Sequence, residues 1–278
     1  MPNFALNHMT VPRLDYAGLL DLAVGLGCVG VEVRNDLGKP LFDGIEPASA
    51  GAMARDRGLR LVGMSQVYPF NVWSDGIRAE VEALIATATA AGAETISLIP
   101  RNDGQGIGDG ERQANLLESL REIKPLLADS GMIALVEPLG FPRASLRNKS
   151  ELVEAIDALD AADHFRLVHD TFHHALAGGG PIFPGRTGIV HISGVVDPLI
   201  GLDQMEDEHR VLVDENDRLG NIQQLRELLD AGYNGPISCE CFSPETQSLP
   251  DPATAIGRSL GQVETRIRSV GTTSQTAP

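Results

Sequence analysis

Residues 123–137, "IKPLLADSGMIALVE", run from a helical segment through a glycine into a short apolar run that ends on a glutamate. Gly131 suits the left-handed cap that ends a helix. The run after it is apolar on both faces, as expected of a strand covered on both sides. The same order recurs in "LLDLAVGLGCVGVEV" (19–33), "AMARDRGLRLVGM" (52–64), "ALIATATAAGAETISLI" (83–99) and "LRELLDAGYNGPISCE" (225–240), with Gly27, Gly58, Gly92 and Gly232 at the junctions. A repeated helix-then-strand unit implies parallel strands joined by right-handed helical crossovers.

Strands are expected at about 3–8, 29–33, 60–65, 95–99, 132–137, 165–170, 187–192 and 236–241. Eight strands alternating with helices over roughly 250 residues is the size of a (β/α)₈ TIM barrel, an α/β fold. The rival is a doubly wound open sheet. Its dinucleotide-binding version lacks support, because no G-x-G-x-x-G follows the first strand. Neither "NDGQGIGDGE" (102–111) nor "AGGGP" (177–181) has a P-loop's Lys-Ser/Thr ending. With no composition break or long linker, residues 1–270 read as one barrel domain and 271–278 as a flexible tail.

The 278 residues are 42% hydrophobic and 22% charged, ordinary for a soluble globular protein. Lys and Arg total 22 against 38 Asp and Glu, a formal charge of −16. That balance disfavours nucleic acid and anionic membranes and favours a neutral or metal-bound ligand. Cys28, Cys239 and Cys241 form no zinc or disulfide spacing and read as buried thiols in a reducing cytosol. No signal peptide is recognisable and no run approaches roughly 18 apolar residues, so a cytoplasmic location is expected. Asn148-Lys149-Ser150 matches a glycosylation sequon without meaning in that compartment.

Chemistry in such barrels sits at the C-terminal strand ends. Strand five ends at Glu137, strand six at Asp170, strand seven carries His191 and strand eight carries Glu240. On a strand, Cys239 and Cys241 face one way and Glu240 the other, so the three cannot cage a metal together. Buried alone, Glu240 would be costly. Four consecutive strands each offering one ligand suit a shared divalent cation, Mn²⁺, Co²⁺, Mg²⁺ or Zn²⁺. Taken singly, each acid reads as a helix cap or loop residue, Asp170 before "TFHHAL" above all. His169 points away from the pocket. Glu32 on strand two faces inward, to touch substrate or to pair with a buried cation. His8, ending strand one, and Trp73, after strand three, line the pocket or pack in the core or a lid.

"LVEPLG" (135–140), "LVHDTFHH" (167–174), "VHISG" (190–194) and "ISCECF" (237–242) resemble the xylose-isomerase-like TIM barrels. That superfamily includes sugar isomerases, ketose epimerases and DNA-repair enzymes of the endonuclease IV type. The resemblance spans about residues 3–265. In size and segment order the chain is similar to the inosose (2-keto-myo-inositol) isomerases of bacterial inositol catabolism. The resemblance implies that Glu137, Asp170, His191 and Glu240 ligate the metal and that Glu137 and Glu240 form the acid/base pair. It also implies that His173 and Arg210 hold substrate oxygens, and that members often pair as homodimers. His173 follows Asp170 by one helical turn and can share its face. His174 is displaced from it. Arg210 lies in an acidic loop where a solvated arginine is the plain alternative, and His209 beside it is weaker still.

Such a set suits isomerisation of a polyhydroxy ketone through an enediolate, with one divalent metal and no organic cofactor. A ketose 3-epimerase, a hydroxypyruvate isomerase and an inosose dehydratase would use a similar centre. An endonuclease would need further histidines, and "LVGMSQVYPF" and "ISLIPRND" offer none. A catalytically dead barrel used as a binding module is the reading from another class, and failure to bind metal would favour it.

Overall fold

The computed structural model describes residues 2–269; the expected tail at 271–278 lies outside them. Eight strands close into a parallel barrel in chain order: β1 (Asn3–Asn7), β2 (Gly30–Arg34), β3 (Arg60–Val67), β4 (Thr95–Leu98), β5 (Ile133–Val136), β6 (Phe165–Asp170), β7 (Thr187–Ile192) and β8 (Pro236–Cys239). Closure comes from β1 against β8, with Asn3 opposite Pro236 and Leu6 opposite Cys239. The open-sheet rival is thereby excluded.

The main helices after successive strands are α1 (Tyr16–Gly25), α2 (Pro47–Asp56), α3 (Asp75–Ala91), α4 (Glu111–Ser130), α5 (Lys149–Ala158), α6 (Thr171–Leu176) and α7 (Asn221–Asp230). After β8 come the short α8 (Pro244–Gln247) and α9 (Pro252–Arg268). Helix α3 illustrates why they form. Ser74 caps it by accepting from the Ile77 N–H, and Gly92 stops it at φ 72°. Ile77, Val81, Leu84, Ile85 and Ala88 fall on one face and are buried, each large one contributing about 1.5–3 kcal/mol. The five junction glycines all have positive φ, the conformation that a side chain would oppose.

Three apolar clusters result, one of them around Phe141, Phe172 and Met205. The largest fills the space between strands and helices, and includes Cys239 and Cys241. A smaller plug of Ala5, Val62, Leu135, Val168 and Ile189 fills the barrel's lower interior. Above it the inward positions turn polar: Asn7 and Glu32, then Asp170 and His191, all buried. Strands β5 and β8 end one residue short of their glutamates, yet the ladder bonds continue. Glu137 donates its N–H to the Leu98 carbonyl at 3.3 Å and Glu240 donates to Ile192 at 3.0 Å. Both carboxylates therefore keep strand geometry at the rim. No helix is long and apolar enough to cross a membrane among the described residues.

Candidate metal-dependent active site

On β8 the alternation holds: the two cysteine sulfurs lie 3.9 Å apart on the helix side, and Glu240 points into the barrel. There it meets Glu137, Asp170 and His191. Each of the four offers one ligand atom, these atoms lie within 4.8 Å of one another, and all four residues are buried. Nδ1 of His191 sits 3.2 Å from Glu240 Oε2, 3.6 Å from Glu137 Oε1 and 3.9 Å from Asp170 Oδ2. Neither that nitrogen nor Glu137 Oε1 makes a hydrogen bond. Buried polar atoms ordinarily have partners, so these two converging lone-pair atoms fit a shared cation. Three carboxylates and one imidazole form a donor set for a hard or borderline divalent ion.

Asp170 reconciles two readings. Its Oδ1 accepts from the His173 N–H at 3.0 Å and caps α6, while its Oδ2 faces the cluster and accepts from Arg210 at 2.5 Å. The cap and the site use different oxygens of one side chain.

The supporting residues fix orientations. Nε2 of His191 bonds Glu32 Oε2 at 3.1 Å, which leaves Nδ1 to face the centre. An outer carboxylate holding a ligand imidazole is the usual partner in metal sites. Asn7 donates to Glu32 Oε1 and to Glu240 Oε1, both at 3.1 Å. Arg34 donates to Glu240 Oε1 at 2.7 Å and forks onto Asp36. Arg210 is only 1% exposed. It reaches Glu240 Oε2 at 2.9 Å and Ser193 Oγ at 3.0 Å, and its guanidinium stacks 4.5 Å from the Phe242 ring centre. A solvated surface arginine is thus the wrong description.

Electrostatics separate the two glutamates. Burial raises Glu240, but the charges of His191, Arg210 and Arg34 outweigh it and hold the carboxyl well below its usual range. Burial raises Glu137 as well, and there the His191 contact offsets only part of the rise. His191 loses affinity for a proton through burial, yet Glu240 and Glu32 more than restore it, lifting the imidazole well above its ordinary value. The centre draws positive charge.

His173 is buried with Nε2 4.0 Å from Glu137 Oε1. With Arg34, Asn102, Phe141, Arg210 and Phe242, it lines a cavity of about 230 Å³ over the cluster. Asn102 keeps its Oδ1 without a partner there. Two expectations need correction. His8 is buried, with Nε2 on the Leu14 carbonyl at 3.0 Å. Trp73 packs against the core with Arg78 over its ring at 5.4 Å. Neither lines this cavity, because each ring is committed to a local partner. His169 turns outward as expected and pairs with Gln224 at 2.9 Å. Asn7 and Arg34 escaped the sequence reading. Their signal was the two-residue alternation itself, since Asn7 follows Ala5 inward and Arg34 follows Glu32.

Comparison with known proteins bears on the family and the fold. The family model described as xylose isomerase-like TIM barrel matches residues 20–263. An inosose isomerase of Halalkalibacterium halodurans is 25% identical over 175 residues, 61% of each chain, so the chain spans under two thirds of that relative's length. A xylose isomerase domain containing protein from Salmonella typhimurium LT2 superposes with a TM-score of 0.86 at 29% identity, covering 95% of this chain and 97% of that one. The IolI protein, solved with a bound zinc atom, gives 0.80 at 19% identity, covering 96% and 99%; at that identity the likeness is one of fold. With the match running through most of the barrel, the chain belongs to the xylose isomerase-like TIM barrel family.

Proposed function

We propose that the chain is a divalent-metal-dependent isomerase of a polyhydroxy ketone, with an inosose as the substrate. Glu137, Asp170, His191 and Glu240 would hold the ion. The observation that carries this reading is the convergence of four buried ligand atoms, two of them without hydrogen-bond partners. The relative named an inosose isomerase supports the substrate, and the zinc bound by IolI supports a metal. When bound, the cation supplies Lewis-acid polarisation of the ketone and acidifies the adjacent C–H.

The chain's own groups do the rest. Glu137, with Oε1 free and its basicity raised by burial, takes the proton from the hydroxyl-bearing carbon beside the ketone. The product is an enediolate. Glu137, protonated in that step, returns the proton to the former carbonyl carbon. Glu240, held anionic by two guanidiniums and Asn7, faces the enediolate from a different strand and takes the hydroxyl proton that passes to the former carbonyl oxygen. His173 and Arg210 hold substrate oxygens at the mouth, and Asn102 Oδ1 accepts from a substrate hydroxyl. Phe141 and Phe242 exclude water from one wall.

The test is incubation of metal-loaded protein with scyllo-inosose in D₂O, followed by proton NMR. Deuterium next to the carbonyl together with a new isomeric inosose is the expected result, both lost in Glu240→Gln. Water loss to a dione would move the assignment to a dehydratase. Absence of any exchange would remove the inosose reading.

A further inference from the structure

Beside His173 lies a second cavity of about 380 Å³, lined by none of the four cluster residues. Its walls come from the first turns of α4 and α5 and from the end of α6. Lys149, the first residue of α5, lines it while being only 8% exposed. Its ammonium touches one polar group, His174 Nδ1 at 2.6 Å, and no carboxylate among the described residues. Lysines buried that deeply are ordinarily paired with an anion. Burial pushes this one down to about 7, and the charge of Asp170, which does not touch it, offsets only part of the fall.

Two further observations point the same way. Arg147 in the same wall gives its guanidinium only to the carbonyls of Gly140 and Leu176. Asn148, at the N-cap of the ten-residue α5, makes no capping bond. The first N–H groups of that helix are left without a side-chain acceptor where its dipole favours negative charge. In a chain of net charge −16, a cavity with two cations free of carboxylates is a built feature.

The acidic groups in the wall narrow the ligand. Glu154 is exposed. Glu151 accepts from Arg112 through Oε2 at 2.7 Å, while its Oε1 is buried without a partner. An ionised carboxylate ligand would bring no proton to that oxygen. A phosphate carrying one proton can donate to Glu151 while its other oxygens accept from Lys149, Arg147 and the helix N–H groups.

We propose that this cavity is a phosphate site, taking inorganic phosphate or the phosphoryl group of a monoester, with Lys149 as its main charge partner. It contains none of the four cluster residues. His173 forms the wall it shares with the mouth cavity, so an occupant rests against a residue in contact with Glu137.

Calorimetric titration of the full chain with inorganic phosphate tests this without reference to any activity. One saturable equivalent is expected, with affinity at least tenfold lower in Lys149→Met and unchanged in Glu240→Gln. Crystals soaked in tungstate, a tetrahedral anomalous scatterer, should give a peak beside Lys149, a readout that does not depend on a variant folding. Glycerol 3-phosphate distinguishes the sources: tighter binding than inorganic phosphate indicates a phosphorylated metabolite, weaker binding the free ion. Equal affinity in Lys149→Met, no saturable binding, or a tungstate peak only at the carboxylate cluster would overturn the assignment.

Discussion

Glu240 and Glu137 have the same side chain and different surroundings, and the difference sets their expected behaviour. Replacing either by Gln removes a ligand and a proton carrier, so kcat should fall about 10²–10⁴-fold, the range of general acid–base catalysis. Glu32→Gln should act through the two groups Glu32 holds, His191 and the Asn7 amide that also reaches Glu240. Metal affinity is expected to drop about 10–100-fold, with kcat restored by excess metal; a kcat loss that metal does not rescue would give Glu32 a direct role. Arg210→Lys keeps the charge that Nη2 shares between Asp170 and Glu240 but loses the Nε–H bond to Ser193 Oγ and the planar stack on Phe242. It should cost at least tenfold in kcat/KM, read by steady-state assay. The four cluster residues were legible together, because four consecutive strands each end on one potential ligand, although each acid taken singly also reads as a helix cap or loop residue. Arg210 was not legible from its surroundings: it lies far along a polar loop, and only folding places it between Asp170 and Glu240.

At the scale of elements, the approach of α6 to the loop after β5 positions His173. Gly140 permits that approach, because a Cβ there would lie 2.3 Å from the His173 carbonyl oxygen and 2.6 Å from Leu176 Cβ. Gly51 does the same between α2 and α3, where a Cβ would lie 1.9 Å from the Ala91 carbonyl oxygen. Either glycine changed to Ala should lower stability by about 1–3 kcal/mol, measured by urea unfolding. Only Gly140→Ala should also raise KM, by displacing His173. Equal KM values in the two variants would mean that α6 placement does not matter to the site. Strand positions were readable because five of the eight apolar runs follow a helix-ending glycine and four close on a carboxylate or imidazole. The exact ends were less so: β3 continues to Val67 and β5 stops at Val136, since pairing with neighbours, not composition, sets the last ladder bond. His8 and Trp73 follow the same lesson, for nothing in sequence separates a ring at a strand end from one that turns back onto its own loop.

For the whole molecule, stability should depend on pH and on metal. Burial and then the Lys149 charge push His174 down to about 4, against about 6.5 in an unfolded chain. The unfolded state therefore takes up a proton first, and stability falls as pH drops from about 6.5 towards 4. Urea unfolding at pH 7 and pH 5 should show a smaller loss in His174→Gln. Metal binding to the folded state alone should add about 2.7 kcal/mol at a hundredfold excess over Kd, raising Tm by several degrees.

The central claim is that four strand ends make one metal centre, and a titration of chelator-treated protein with Co²⁺ tests it most directly. The account predicts one equivalent bound with a visible ligand-field spectrum, and loss of that spectrum in each of Glu137→Gln, Asp170→Asn, His191→Ala and Glu240→Gln. No binding in the wild type, or binding that survives all four substitutions, would contradict it.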